Sequence, residues 1–509
     1  MIVKVTSSTI IGVDAYPVEV EIDVSPGLPQ FSTVGLPDAV VRESKDRIKA
    51  AVKNSGYRFP PTHVTVNLAP ADIKKEGAGF DLPIAVGILA TGGLVDPERC
   101  RDYLLIGELS LDGAVRGIYG ALSAAFQARE MKMKGIIAPR ENAMEAGMVE
   151  GLDVIPVESL SDVVEFLGGR KPIEPMRVDA GELFRAGLQY PFDFSEIHGQ
   201  EQAKRALEVA AGGGHNVLMT GPPGSGKTML AQRLPSIMPE LSFQEAIETT
   251  KVFSVAGLLD KKGGLIAVRP FRSPHHTISD AGLIGGGHIP RPGEISLAHH
   301  GVLFLDELPE FRKNTLEALR QPLEDGRVTI TRAAMTATYP SRFMLVAAMN
   351  PCPCGHFGDT RKACRCTPQQ IRQYQSRISG PLLDRIDIHM EVPAVRYRDL
   401  KGKYSGESSA AIKCRIEAAR RRQKDRFQSG QTICNARMSD RQIRQHCVIE
   451  EDSQRLLEMA IDKLGLSARG YSRILKVART IADLGEEERI RASHVAEAIQ
   501  YRNLDRHMI

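Results

Sequence analysis

No run of apolar residues in this 509-residue sequence is long enough to cross a bilayer. The longest charge-free apolar stretch, residues 82–95, carries a proline and three glycines and falls short of the roughly 20 residues a membrane helix needs. The first residues, Met1-Ile2-Val3-Lys4-Val5-Thr6, alternate like a strand and lack the charged head, apolar run and cleavage site of a signal peptide, so a cytoplasmic protein with no membrane partner is expected. Neither charge is in excess. The 66 Lys+Arg and 62 Asp+Glu leave a formal +4, which excludes a protein that coats nucleic acid with its whole surface and confines any polyanion site to a local patch. Cysteine is scarce: eight in so long a chain make no disulfide scaffold. Internal repeats and low-complexity tails are absent as well. What remains, 42% apolar and 25% charged, is a globular composition with room for three or four domains.

Residues 1–167 mix alternating segments (Val18-Glu19-Val20-Glu21-Ile22-Asp23-Val24; Val64-Thr65-Val66-Asn67-Leu68) with amphipathic helical ones at 38–52 and 121–133, an α+β pattern. Periodicity fades over 168–190, where Gly, Pro and charges accumulate, and this predicts a linker. A core at 191–400 opens with a helix at 200–211 and a short strand, Asn216-Val217-Leu218-Met219-Thr220. Residues 405–509 read as all-helical, with an apolar face every three or four residues. Within them residues 413–426 hold seven Lys or Arg, a helix that could track phosphates or be solvated, the second being favoured.

The strand at 216–220 runs straight into Gly221-Pro222-Pro223-Gly224-Ser225-Gly226-Lys227-Thr228 and then a helical segment, a complete G-x-x-x-x-G-K-T in its strand-loop-helix setting. Glycines let backbone N–H groups face phosphates at a helix N-terminus. Lys227 would reach the β and γ phosphates of ATP or GTP, and the Thr228 hydroxyl would hold Mg²⁺. A second apolar strand ends in Asp306-Glu307, which places an Asp near Mg²⁺ and a Glu near the attacking water and so favours hydrolysis over binding alone. A third delivers Asn350 at its end, either to orient that water or as an ordinary turn residue before Pro351.

This set resembles an AAA+ ATPase core, an α/β P-loop fold. The resemblance makes Asp306 and Glu307 the Walker B pair and Asn350 sensor 1. Ser379-Gly380-Pro381-Leu382-Leu383-Asp384-Arg385-Ile386-Asp387 is similar to the arginine-finger segment of magnesium-chelatase and MCM motors, which implies that Arg385 reaches a neighbouring subunit's ATP; a surface salt bridge is the commoner role of any Arg. Leu466-Ser467-Ala468-Arg469-Gly470-Tyr471-Ser472-Arg473 resembles sensor 2, with Arg469 the first phosphate ligand and Arg473 the second, and Ile197-His198-Gly199-Gln200 resembles the adenine-pocket box, with Ile197 and Gln200 at the nucleotide. Arginines acting in trans imply a ring, a homo-hexamer.

The long interval from Lys227 to Asp306 is rich in Gly, His and Arg (Phe271-Arg272-Ser273-Pro274-His275-His276; Gly285-Gly286-Gly287-His288) and resembles the helix-2 insertion of that clade. Residues 323–332 read as a hairpin turning at Asp325-Gly326, matching the pre-sensor-1 hairpin. Basic loops lining a pore suit a phosphate backbone, so Arg327, Arg332, His275 and His276 are candidate DNA contacts, against the plainer reading of surface loops that close subunit contacts.

Four cysteines follow sensor 1 as two C-x-C pairs, Cys352/Cys354 and Cys364/Cys366. Four thiolates could close a tetrahedral Zn²⁺ site with no open position for catalysis, with His356 a competing ligand and reduced spare thiols the alternative.

Residues 74–83, 105–113 and 135–142 resemble the Lon-protease (ribosomal-protein-like) fold, but its Ser and Lys are missing: the nucleophile loop reads Glu76-Gly77-Ala78-Gly79, and Leu122, Ser123 and Ala124 stand where the Lys would fall. Without nucleophile and base, peptide hydrolysis has no mechanism. The whole order, a Lon-like domain, a chelatase-type core with the Cys insert and a helical lid, resembles the YifB/ComM family of magnesium-chelatase-like ATPases. That resemblance implies an ATP-driven hexameric DNA motor, a helicase promoting branch migration on single-stranded or branched DNA during natural transformation; a chelatase-like remodeller acting on a protein or metal-insertion partner is the alternative.

Overall fold

The computed structural model describes residues 2–260, 264–287, 290–332, 335–358, 362–394, 406–427, 434–464 and 468–502. The expected junction at 400–405, His288, and Leu466-Ser467 of the sensor-2 segment lie outside them.

The N-terminal region builds a seven-stranded sheet in the order Gln30–Val34, His63–Ala69, Asp14–Ser25, Ile2–Ile11, Tyr103–Leu105, Gly135–Pro139, Asp153–Val157. Ile2–Ile11 and Asp14–Ser25 pair antiparallel in full register, and the period-2 pattern turns Val3, Val5, Val18, Val20 and Ile22 inward. Helix Ala39–Asn54 begins where the Asp38 carboxylate accepts the Val41 N–H at 2.8 Å. Helix Asp81–Thr91 is apolar all round and is buried from Asp81 to Ala90, as a helix in the middle of a core must be.

The 168–190 segment is not a bare linker. Met176 bridges Val154 at the sheet edge, and Ala180–Ala186 is a helix capped by Asp179. Ala180, Leu183 and Phe184, spaced at i, i+3 and i+4, pack onto a core with residues from both sides: Ala121, Leu122 and Ala125 of the N-terminal region, Leu241, Ala246 and Ile247 of the region beyond.

The second sheet is five-stranded and parallel, in the order Phe271–Arg272, Val302–Leu305, Met344–Met349, Val217–Thr220, Ile388–Glu391. Its three inner strands are buried on both faces and read as nearly unbroken apolar runs. Helices Glu201–Gly213, Ser409–Phe427, Ala468–Leu484 and Ala492–Gln500 share a single core with one of its faces. Residues 413–426 are a solvated face only in part: Arg421 and Lys424 are exposed, but Lys413 pairs with Glu240 at 2.6 Å, Arg415 with Glu208 at 2.6 Å, and Arg426 with Asp483, fastening this helix to its neighbours.

The hairpin exists, with Arg327–Arg332 paired to Met335–Pro340, but Asp325-Gly326 does not turn it. Gly326, at φ 65°, ends helix Arg320–Asp325 in the left-handed conformation that favours glycine, and the connection between the strands falls at 333–334, outside the described residues.

Candidate functional site

The loop 221–228 leaves the sheet where Thr220 lies level with Met349 on one side and Glu391 on the other. Gly224 and Gly226 have φ of 74° and 88°, the left-handed turns that curl backbone N–H groups around an anion. Ser225 lies within this curl and helix Lys227–Ile237 starts behind it. A Cβ at Gly221 would stand 2.1 Å from the Val392 carbonyl oxygen, so only glycine fits there. Gln200 donates to the Ser225 carbonyl at 2.6 Å, which ties the expected adenine-box residue to the loop; Ile197 is fully buried in the core beneath.

Lys227 donates to the Gly221 and Pro222 carbonyls at 2.8 and 3.0 Å and to Asn350 Oδ1 at 3.3 Å. Burial pulls its ammonium below the ordinary value, opposed by the Asp306 and Glu307 carboxylates. The Thr228 hydroxyl donates to Asp306 Oδ2 at 2.9 Å, so the two groups that would share Mg²⁺ are already adjacent. Glu307 sits at φ 52° with its side chain 54% exposed and its carboxylate 3.3 Å from His276 Nδ1. The structure thus gathers Gly221 to Thr228, Gln200, Asp306, Glu307 and Asn350 at one end of the sheet. It brings His276 there too, its ring tilted against His275 and edge-on to Phe311. His276 is half-buried against that carboxylate; His275, Arg327 and Arg332 are exposed.

Arg385, Arg469 and Arg473 collect elsewhere. Asn216 Nδ2 donates to the Arg385 carbonyl at 2.8 Å, placing Arg385 at the other end of strand Val217–Thr220, about 16 Å from Gly221 at the rise of a strand. Arg473 donates to the Ile386 carbonyl at 3.2 Å, and Arg469 lies 3.9 Å from Asp384. A cavity of about 460 Å³ opens here, lined by Arg342, Arg385, Arg437, Arg473 and Lys476. Two contacts in this edge have no signal in the sequence. Glu324 holds the Arg385 guanidinium, and buried Asp387 is kept well below the usual carboxylate range: burial pushes it up, but His215 and Arg473 outweigh that.

The four cysteines converge. Cys352, Cys354 and Cys364 have Sγ–Sγ separations of 3.4, 3.7 and 3.7 Å, and all four sulfurs lie within 4.8 Å of one another. Four thiolates at 2.3 Å from one tetrahedral ion stand about 3.8 Å apart, so the residues fit zinc. Phe357 N–H donates to the Cys352 sulfur and Cys366 N–H to the Cys364 sulfur, and the Arg365 and His356 N–H groups pull the Cys354 thiol down to about 6. A second cluster, Glu248, His299 and His300, is of a different kind. His299 Nδ1 accepts the Arg342 N–H at 3.0 Å, so the neutral ring carries its proton on Nε2, facing Glu248 at 3.5 Å. A ring so arranged turns an N–H toward the carboxylate, within ion-pair distance but without a hydrogen bond, and has no lone pair for a metal there.

In the N-terminal region, Gly77 at φ 84° and the short turn Ala78–Phe80 offer no hydroxyl. Ser123 is buried and its hydroxyl donates to the Val13 carbonyl at 2.6 Å, and fully buried Lys75 donates to the Pro70 carbonyl. No protease dyad forms from these residues.

Residues 20–142 match the family model described as subunit ChlI of Mg-chelatase, 193–400 that of magnesium chelatase, subunit ChlI, and 406–502 its C-terminal part. The chain is 46% identical to YifB of Escherichia coli (98% of this chain, 96% of that one) and 45% identical to competence protein ComM of Haemophilus influenzae (99% and 97%). A stretch covering 28% of the chain is 32% identical to Lon protease 2 of Bacillus subtilis, 27% of whose length it spans. No helix among the described residues is long and apolar enough to cross a membrane. The conjunction of all three magnesium-chelatase models with near-full-length identity to YifB and ComM settles the family: the chain belongs to the YifB/ComM group of magnesium-chelatase-like AAA+ proteins.

Proposed function

We propose that the protein is an ATP-driven, ring-forming DNA motor of the helicase type, working at branched or single-stranded DNA, and that it promotes branch migration as incoming DNA is recombined. The observation that carries the reading is the division of the ATP machinery between two ends of one sheet. Lys227, Thr228, Asp306, Glu307 and Asn350 stand at one end; Arg385, Arg469 and Arg473 stand at the other, too far to serve the same nucleotide. Such halves complete each other only across a subunit boundary, as a closed ring of identical copies provides.

In this reading Lys227 and the loop N–H groups bind the phosphates, Thr228 and Asp306 hold Mg²⁺, and Glu307 takes the proton of the attacking water while Asn350 orients it. Arg385 from the neighbour stabilises charge in the transition state, which requires that Glu324 release it, and Arg469 and Arg473 add phosphate contacts. Mg²⁺ supplies charge neutralisation between the phosphates. The exposed Arg327, Arg332 and His275 on the hairpin and the insertion serve the DNA backbone. The name of the ComM relative places it in competence, which supports DNA as the substrate. Zinc at Cys352, Cys354, Cys364 and Cys366 is structural. The N-terminal region we assign a Lon-protease-like fold without its chemistry, reused for assembly.

The chelatase-subunit matches favour a second reading, a remodeller acting on a protein partner that inserts metal. ATPase rates with and without single-stranded and branched DNA, with displacement of a labelled strand, decide between them: stimulation and displacement are expected, and indifference to every DNA structure sinks the motor reading. Arg385→Ala should keep nucleotide binding and lose about 10³-fold or more in turnover. Mixing it with Lys227→Ala should restore turnover that neither variant has alone, because each supplies the half the other lacks.

A further inference from the structure

The phosphate loop is clamped at three points. Val392 closes on Gly221 and Gln200 holds Ser225, both from the folded core. The third clamp comes from the cysteine loop. Strands Val217–Thr220 and Met344–Met349 run parallel with Thr220 level with Met349, and Gly221 N–H donates to the Met349 carbonyl at 3.2 Å. The phosphate loop and the cysteine loop therefore leave the sheet side by side. Gly355 then turns at φ 81°, its N–H bonded to the Cys352 carbonyl at 2.9 Å, and lies so close to the phosphate loop that a Cβ there would stand 2.6 Å from Pro223 Cδ.

What fixes Gly355 is the question. Residues 351–358 belong to no helix or strand, and the next element is helix Pro368–Gln375, begun by a Thr367 capping box. Gln375 returns one bond, to the Pro351 carbonyl at 3.3 Å. Between strand and helix the chain is drawn together by the four converging sulfurs, two on each side of Gly355 along the sequence: Cys352 and Cys354 before it, Cys364 and Cys366 after. Four thiols so close repel as they ionise, whereas a tetrahedral divalent cation binds all four and orders the turn between them.

We propose that metal held by Cys352, Cys354, Cys364 and Cys366 sets the affinity of the phosphate loop for ATP, by pressing the backbone at Gly355 against Pro223. This rests on the zinc reading of the cluster and deepens it from a structural site into a control on the nucleotide site. Coupling between two sites is reciprocal, so ATP tightens metal binding by the factor by which metal tightens ATP.

The test uses the full-length protein with zinc content, ATP affinity and the unfolding midpoint measured in parallel. The protein as purified should hold one zinc per chain. Stripped by a chelator, it should bind ATP about tenfold more weakly and recover on one equivalent of Zn²⁺. Gly355→Ala separates coupling from folding: it should keep its zinc and weaken ATP binding, because the new methyl must push Pro223 away. Cys364→Ser should lose both. A protein that neither holds nor takes up zinc overturns the metal reading itself. A protein that holds zinc but binds ATP equally well when stripped overturns the coupling and leaves the metal reading standing. Should stripping unfold the chain, Gly355→Ala decides alone: ATP affinity equal to that of the unsubstituted protein overturns the proposal.

Discussion

The N-terminal region and the nucleotide site treat a carboxylate in opposite ways. In the first, Asp81 has no exposed side chain and is met by Arg47 at 2.9 Å, the Ser123 hydroxyl is committed to the Val13 carbonyl, and the Lys75 ammonium is committed to the Pro70 carbonyl. In the second, the Glu307 carboxylate is more than half exposed on a left-handed backbone. Burial with full hydrogen bonding makes a polar group structural. A carboxylate held in the open on a backbone that disfavours it is kept there at a cost in stability, and a ligand offsets that cost. The same alphabet spells scaffold in one region and chemistry in the other.

Exchanging the weak point of each region sharpens the contrast. Lys227→Ala should lower ATP turnover by about 10³-fold, while the unfolding midpoint moves by about 2–4 °C; a large midpoint shift with residual turnover would make Lys227 structural. Arg47→Ala should do the reverse, costing about 3–5 kcal/mol in chemical denaturation because it strands a buried carboxylate, with KM for ATP unchanged.

Acid should then separate the regions by sign. Burial pushes Asp81 up to about 6 against Arg47, so its contribution is complete below the unfolded value near 4 and lost as pH rises through 6. Burial takes His299 down to about 4, so its contribution is complete above 6.5 and lost as pH falls. Between pH 7 and 5, hydrogen exchange should show the N-terminal sheet gaining protection from Asp81 and the 299–342 neighbourhood losing it. Asp81→Asn should flatten the first trend and His299→Gln the second; trends of equal sign would mean that the two buried groups do not oppose each other in acid. The smallest effect is expected at the exposed pair of Arg101 and Glu98, where Arg101→Ala should shift stability by less than about 0.5 kcal/mol.

Much of this was legible in the sequence because local chemistry carries it. The loop 221–228, Asp306-Glu307, Asn350 and the paired cysteines announce themselves by residue type at fixed spacing, and the structure places them together. Asp325-Gly326 shows the limit: the same dipeptide ends helices and turns hairpins, and only the register of Arg327 with Pro340 distinguishes the two. Glu324 against Arg385 and His276 against Glu307 join residues 61 and 31 positions apart, with nothing periodic to reveal them. Lys413 and Arg415 looked solvated because their carboxylate partners lie some 170 and 200 residues upstream.

The core that Ala121, Leu122 and Ala125 share with Leu241, Ala246 and Ile247 bears on how such a chain can be rearranged. A buried Glu145 accepts the Leu122 N–H at 2.8 Å and takes the Ser254 hydroxyl as well, and the turn at Gly12 leaves no room for a Cβ beside the Thr338 carbonyl of the hairpin. A cut at the composition break near 170 would therefore open an apolar wound on both pieces. The exchangeable cassette is larger than the sequence boundary suggests: whatever replaces the N-terminal sheet must bring its own fit to helix Phe243–Ala256, so the two regions form one structural part.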